Sequence, residues 1–341
     1  MNKVDKIKKV LQGEDIGEVP FSFWTHFPEV DLDAEKIASL TFDFYKKYNL
    51  DFIKTMNNGM YTTEDYGCIA DYSEIAIGGV AKIVETPIQT YEDWKDFPYK
   101  SLEESPALQR ELDYLKKLLA LVDGEAPVVM TVFSPLTTAD KIVQGKIKDY
   151  LQQDSKGYVK EALYKIAQLT ATLSEAAIQL GADGVYFASQ LSTFERLTSS
   201  EYIEFGRTYD LIALEGAQAG WFNSLHLHGR DTMFDIVKDY PVQVINWHVG
   251  ESFPSPREGQ IYSKKTVLGG LNRKDISHSN YNHLHNQIYK TLFGTGGKGI
   301  ILTPGCVVPQ PFSDDIIDYV KKVKKETEQF IFENSLGSSL L

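Results

Sequence analysis

Cysteine is scarce in these 341 residues: Cys68 and Cys306 are the only two, and they lie far apart in the chain. They cannot form the set of bridges that staples a small secreted domain, so free thiols are expected. Long apolar runs are missing as well. None approaches the roughly 18 residues of a membrane span, and the basic opening MNKVDKIKKVLQGED has no apolar stretch of the signal-peptide kind. Positive charge is in deficit, with 35 Lys and Arg against 47 Asp and Glu, a net charge of −12. That balance disfavours unspecific binding to nucleic acid or anionic lipid, although a local basic pocket survives it. No G-x-G-x-x-G follows an early strand-like run, which removes the support for dinucleotide binding. Nor does any repeat, low-complexity stretch or Pro/Gly/Ser linker divide the chain. The expectation is a soluble cytoplasmic protein without nucleic-acid or membrane partners, folded as one domain over 1–335 with a flexible tail at 336–341.

What the chain does have is apolar residues, 43% of the total, in short runs that alternate with amphipathic segments. Strand-like runs fall at 19–24, 51–56, 127–133, 184–187, 222–227, 242–247, 266–270 and 299–303, mostly continuous and apolar, as in strands buried on both faces. Between them, Ile37, Leu40, Phe44 and Tyr48 recur at helical spacing behind Asp33, a candidate N-cap. Val159, Leu163, Ile166, Leu169, Leu173, Ala177 and Leu180 mark a long helix ending at Gly181. Ser199 and Ser200, followed by Glu201 and Glu204, resemble a capping signal for a helix over 201–218. A last helix carries Ile316, Ile317, Val320 and Val323. Residues 75–89, with Gly78-Gly79 between β-branched residues, predict an inserted hairpin. Eight strands alternating with helices predict an α/β fold of the (β/α)8 TIM-barrel type, with the hairpin and a helix near 106–122 as additions. A doubly wound sheet is the alternative.

In such a barrel the chemistry gathers just beyond the strands. Those positions read Thr25-His26, Asn57-Asn58, Ser134, Ser189-Gln190, His226-x-His228, His248, Asn272 and Cys306. Four of the seven histidines and one of the two cysteines are among them. Residues two apart on a strand share a side, so His226 and His228 converge while Leu225 and Leu227 face the other way. A second H-L-H at 283–285 lies in a helical pattern (Tyr281, Leu284, Ile288), where i and i+2 do not share a face; His283 and His285 are expected on the surface. T-P-G-C-V-V-P at 303–309 offers Cys306 in a stiff turn. One thiolate and two imidazoles form a zinc-binding set that leaves a coordination position open, although iron or cobalt suits the same donors. Alone, H-x-H equally fits two satisfied histidines closing a strand. His248 is either an acid/base or substrate partner, or a structural polar residue. His26, among aromatics, either lines a pocket or simply packs. Cys68 reads as a small buried residue, Asp231 as the cap of the next helix, and G-T-G-G-K-G at 294–299 as a turn.

Several stretches resemble the uroporphyrinogen decarboxylase superfamily, and within it the corrinoid-dependent methyltransferase branch. K-I-K-K-V-L-Q-G-E-D-I-G-E-V-P at 6–20 is similar to the family opening. L-G-A-D-G-V at 180–185, L-G-G-L-N at 268–272 and G-K-G-I-I-L-T-P-G-C at 297–306 resemble, in order, its central helix-to-strand turn, a later turn and its closing strand. The resemblance implies a TIM barrel with its site at the C-terminal strand ends. The decarboxylase's R-Q-A-G-R-Y loop is absent, since F-W-T-H-F-P-E-V stands there and the first arginine is Arg110. Its aspartate motif F-S-D-I-L is replaced by F-I-K-T-M. In the methyltransferase branch zinc is bound through H-x-C and a distant P-G-C. That implies ligands at His226, His228 and Cys306, with histidine where relatives carry the middle cysteine. One thiolate leaves zinc formally at 2 − 1 = +1, and two would leave it at 2 − 2 = 0. The more positive centre dulls a bound thiolate and better polarises a leaving oxygen.

The expected activity is therefore a zinc-dependent methyltransferase that exchanges methyl between a small O-methyl (or thiol) substrate and a corrinoid on a partner protein. His248 and His26 are the candidate catalytic groups. Trp24, Phe27, Asn57, Gln190, Trp247 and Asn272 are the candidate substrate contacts. Two rival readings are a metal-free decarboxylase or lyase on the same barrel and a non-catalytic corrinoid- or tetrapyrrole-binding protein.

Overall fold

The computed structural model describes residues 1–75 and 81–338, with side chains through 333. Seven parallel strands form one curled sheet: β1 (Ile53–Lys54), β4 (Val128–Phe133), β5 (Gly184–Ser189), β6 (Ser224–Leu227), β7 (Val244–Trp247), β8 (Thr266–Leu271) and β9 (Ile300–Pro304), hydrogen-bonded in that order. Every strand residue is buried, as a sheet covered by helices on one side and closed on itself requires. A separate antiparallel hairpin, β2 (Ile69–Asp71) with β3 (Lys82–Glu85), is inserted between β1 and β4.

The run at 19–24 is the expected strand that does not form a full ladder. Phe21 bridges Leu302 of β9 in parallel, with Leu302 N donating to Pro20 O and Ser22 N to Leu302 O at 2.8 and 3.2 Å. On its other side Asp51 N donates to Phe21 O, and Ser22 Oγ donates to Phe52 O. The run thus joins β9 to β1 and closes the barrel. Two residues explain its brevity. Pro20 has no N–H to give, and the Phe21 N–H is taken by the Asp51 carboxylate at 2.7 Å rather than by a strand carbonyl. The fold is a TIM barrel, not the doubly wound alternative.

Helix boundaries follow local chemistry. Asp33 caps Ala34–Tyr48 by accepting from Glu35 N and Lys36 N, and Pro106–Val122 forms the additional helix. Tyr158–Leu180 stops at Gly181, whose φ of 116° suits glycine alone. The segment after 198 departs from expectation. Its cap is Thr198, in a reciprocal capping box with Glu201, and a π-helical turn over Ile203–Arg207 interrupts the helix before Thr208–Glu215. Asp231 caps nothing: it sits at φ 49°, and Phe234–Val237 begins without a side-chain cap. The hairpin starts earlier than 75, because Ile69–Asp71 supplies its first strand; the Gly78-Gly79 turn lies outside the described residues. The last helix, Asp314–Ser338, runs through 336–338, where the sequence reading places a flexible tail. Among the described residues no helix is long and apolar enough to cross a membrane.

Candidate metal centre

Strand β6 carries His226, and His228 follows one residue beyond its end. His228 N still donates to Ser189 O at 3.0 Å, so the parallel ladder continues and the two imidazoles keep the same side. Gly229, at φ 92°, then turns the chain away. Cys306 arrives from the turn after β9. Gly305 brings it there, because a Cβ at that position would lie 2.6 Å from Trp247 O, 2.8 Å from Val249 N and 2.9 Å from His248 Cα, all backbone atoms. The turn is latched to the first run by Val308 N donating to Trp24 O and Thr25 Oγ1 donating to Val308 O.

These elements bring four donors together: His226, His228, His248 and Cys306, with ligand atoms all within 4.8 Å of one another. Cys306 Sγ stands 3.7 Å from His226 Nε2 and 3.8 Å from His228 Nδ1. In a tetrahedral zinc site, bonds of about 2.3 Å to sulfur and about 2.0 Å to nitrogen give a sulfur–nitrogen edge of about 3.5 Å. The donors are therefore already close to a metal-binding arrangement. His248 is buried, and its Nε2 has no hydrogen-bond partner among the described residues. A ligand accounts for such an orphaned group better than packing does.

A second layer fixes His226. Its Nδ1–H donates to Asn246 Oδ1, which also accepts from Tyr186 O–H at 2.7 Å. The Asn246 amide is oriented by its own donations to Leu268 O and Pro304 O. With the proton held on Nδ1, the Nε2 lone pair faces Cys306. Burial pushes all three cluster imidazoles towards the neutral form, assisted by neighbouring cations: His226 is held well below its usual value, His228 at about 4 and His248 at about 3. Neutral imidazoles have free lone pairs, which is the state a metal requires.

His226, His228 and Cys306 form one wall of a cavity of about 350 Å³, and His248 does not line it. Of the sequence candidates, Trp24, His26, Asn57 and Gln190 line it. His26 stands exposed at the mouth, its basicity lowered by the surrounding protein and by Lys54 and Lys141. Asn57 is braced by Glu111 through a 2.8 Å hydrogen bond. Three candidates lie elsewhere. Trp247 points away from the cavity, packs on Gly259 and Phe234, and donates Nε1–H to Pro254 O. Phe27 belongs to a different hollow, beside Phe44 and Phe312. Asn272 caps Arg273–Ser277.

The three basic side chains of the cavity, Lys54, Lys141 and Arg273, are not among the residues that the sequence singles out. Lys54 is buried on β1, with its ammonium over the rings of Tyr186 and Trp24 at 5.0 and 5.7 Å. Lys141 lies 3.4 Å from the Phe133 centroid. Burial brings both lysines down to about 7. Lys54 was detectable as a charge inside the apolar run F-I-K-T-M, and Asn246 as a polar residue two before His248. Lys141 and Arg273 lie on helices and left no such mark.

The sequence matches the uroporphyrinogen decarboxylase (URO-D) family over residues 18–326. The chain belongs to that family. No curated protein matches it. Among solved structures, this URO-D chain is similar to a methyltransferase from Methanosarcina mazei, with TM-score 0.80 and 15% identity over 96% of this chain and 99% of that one. It is also similar to a B12-independent methionine synthase from Shewanella sp. W3-18-1, determined with selenomethionine, with TM-score 0.58 and 12% identity over 95% and 96%. A putative vitamin-B12 independent methionine synthase from Listeria monocytogenes follows, with TM-score 0.54 and 10% identity over 94% and 98%. At these identities the likeness is one of fold.

Proposed function

We propose that this URO-D family member is a zinc-dependent methyltransferase that exchanges methyl between a small O-methyl (or thiol) substrate and a corrinoid carried on a partner protein. The observation that carries the reading is the convergence of His226, His228 and Cys306 on one wall of a small cavity, with His226 oriented by Asn246. Those three would hold the metal. His248, with its unpartnered Nε2, would hydrogen-bond the substrate beside it or complete the ligand set. Zinc held by a single thiolate would supply a Lewis acid of formal charge +1, suited to an oxygen that leaves as the methyl group departs. Trp24, Phe133 and Tyr186 would exclude water around the methyl group. His26, exposed and lining the cavity, would exchange a proton with the departing group.

The cavity volume is at the small end of the range for ligand pockets, roughly 300 to 1,000 Å³. It suits a small methyl donor or acceptor, so the corrinoid would be presented at the mouth by its carrier. The fold likeness to one methyltransferase and to methionine synthases supports methyl transfer over decarboxylation. So does Lys54, which stands where the decarboxylase motif F-S-D-I-L has its aspartate. The metal-free lyase reading differs in its outcome, since Cys306→Ser would leave its activity untouched. A binding protein would take up corrinoid or tetrapyrrole tightly without turnover.

The test is metal analysis combined with a methyl-transfer assay. Purified protein should hold one zinc per chain and transfer methyl from O-methyl donors to reduced corrinoid, with methylcobalamin followed by its absorption. Cys306→Ser should lose both. Protein without stoichiometric zinc, or full activity in Cys306→Ser, would overturn the reading.

A further inference from the structure

The chain as a whole is acidic, yet the Lys, Arg, Asp and Glu residues that line its candidate site are all basic. Lys54, Lys141 and Arg273 all face the cavity, and no Asp or Glu lines it. Among the described residues none of the three makes a salt bridge. Lys54 Nζ donates to Thr55 O and Lys141 Nζ to Gly59 O, which leaves most of their N–H groups uncommitted. Arg273 Nε is buried with no partner. Lys54 is 6% exposed, far below what an unpaired lysine ordinarily tolerates. Buried charge is usually paired, because desolvation otherwise goes uncompensated. Elsewhere this protein follows that rule: Lys6 lies against Asp51, and Lys324 against Glu328. The contacts to Trp24, Tyr186 and Phe133 hold the two lysines in place without neutralising them.

We infer that the small-molecule substrate is an anion, an oxyanion-bearing methyl compound whose carboxylate or sulfonate is held by Lys54, Lys141 and Arg273 while its methyl-bearing atom faces the His226–His228–Cys306 wall. The compound itself supplies the missing counter-charge. Lys and Arg N–H groups suit such an oxyanion through charge-assisted hydrogen bonds. The aromatic walls receive the apolar part between the two ends. The inference deepens the methyltransferase reading and rests on it for what happens to the methyl group. Binding of the anion does not depend on that reading.

The experiment is calorimetric titration of zinc-loaded protein with pairs that differ in charge and little else. Methoxyacetate is set against methoxyacetamide, and 4-methoxybenzoate against 4-methoxybenzamide. 4-Methoxybenzenesulfonate separates a carboxylate from a general oxyanion requirement. At least one acid should bind about tenfold or more tightly than its amide. The preference should fall in Lys54→Met and in Lys141→Met and fall further in the double variant, where Arg273 alone remains, with zinc content unchanged. It should persist in protein stripped of metal, which separates the lysines from direct metal binding. Methionine replaces an unpaired buried cation by an apolar chain of similar length, so the variants should fold, as circular dichroism will report; the wild-type contrast needs no variant at all. Equal binding of acids and amides overturns the inference, as does a preference that the double variant leaves undiminished or that vanishes with the metal. Acid preference without methyl transfer leaves the inference standing and sinks the methyltransferase reading. Transfer from the amides as fast as from the acids does the reverse.

Discussion

The chain contains H-L-H twice, and the two copies end in opposite surroundings. At 226–228 the motif closes a strand, both rings turn inward, and Cys306 meets them at 3.7 and 3.8 Å. At 283–285 it lies in the helix Tyr281–Thr295, and of the three motif residues Leu284 alone is buried. His283 there makes only a 3.4 Å contact to Asp275 at the surface, and His285 is exposed. The letters are identical, and the period of the backbone decides the rest. Two residues along a strand return to the same face, whereas two residues along a helix turn by more than half a circle. A histidine pair is therefore a candidate metal site only once its secondary structure is known.

That contrast can be broken most severely at the strand copy. His226→Ala or Cys306→Ser should lower metal affinity by at least about a hundredfold, since even outer partners of metal ligands are worth about 10- to 100-fold. Equilibrium dialysis against a competing chelator measures it. Asn246→Leu comes next. It leaves every ligand in place but releases the Nδ1 proton of His226, and metal affinity should drop by about 10- to 100-fold. An unchanged affinity would show that the orientation of His226 does not depend on this amide.

A buried polar cluster that does not line the cavity sharpens the comparison by lacking a metal donor set. Asp210 Oδ2 accepts hydrogen bonds from Tyr202 and Tyr240 at 2.7 and 2.8 Å. Burial raises this carboxyl to about 7, against the hydrogen bonds from the tyrosines and the charge of Arg207. An acid raised in the folded state stabilises it in the neutral form. That contribution is complete below the unfolded value near 4 and is lost as pH rises towards 7. Urea unfolding should therefore show the wild type losing about 2 kcal/mol relative to Asp210→Asn between pH 5 and pH 7. Metal binding should not change in that variant. The smallest effect belongs to the helix copy: His283→Ala should alter stability by no more than about 0.5 kcal/mol, because an exposed side chain with one long polar contact contributes little. Metal content should stay the same.

Much of the fold was legible because buried parallel strands read as continuous apolar runs. Seven of the eight expected runs form strands of the sheet, and the eighth closes the barrel as a bridge at Phe21. What the runs could not show was the Asp51 carboxylate taking the place of a strand carbonyl at Phe21. At the site, the convergence of His226, His228 and Cys306 was readable from strand parity and the position of the last turn. The same parity rule shows why Trp247 lies outside the cavity. It stands between Asn246 and His248, which face inward, so its ring must face the helices. Phe27 has the opposite parity to Trp24 and His26, both of which line the cavity. Asn272 satisfied a helix terminus instead, a role that its place before Arg273–Ser277 serves as well as any ligand contact. Lys141 and Arg273 come from helices beyond β4 and β8, and their shared orientation is a property of the closed barrel rather than of any local pattern.

The most direct test of the central claim is the absorption spectrum of the protein with cobalt(II) in place of zinc. Thiolate and imidazole ligands at a tetrahedral site give a sulfur-to-metal charge-transfer band together with intense visible bands. Both should be present in wild type and in the His283→Ala protein, and the charge-transfer band should vanish in Cys306→Ser. A spectrum without the sulfur band in wild type, or one that Cys306→Ser leaves intact, would contradict a metal held by His226, His228 and Cys306.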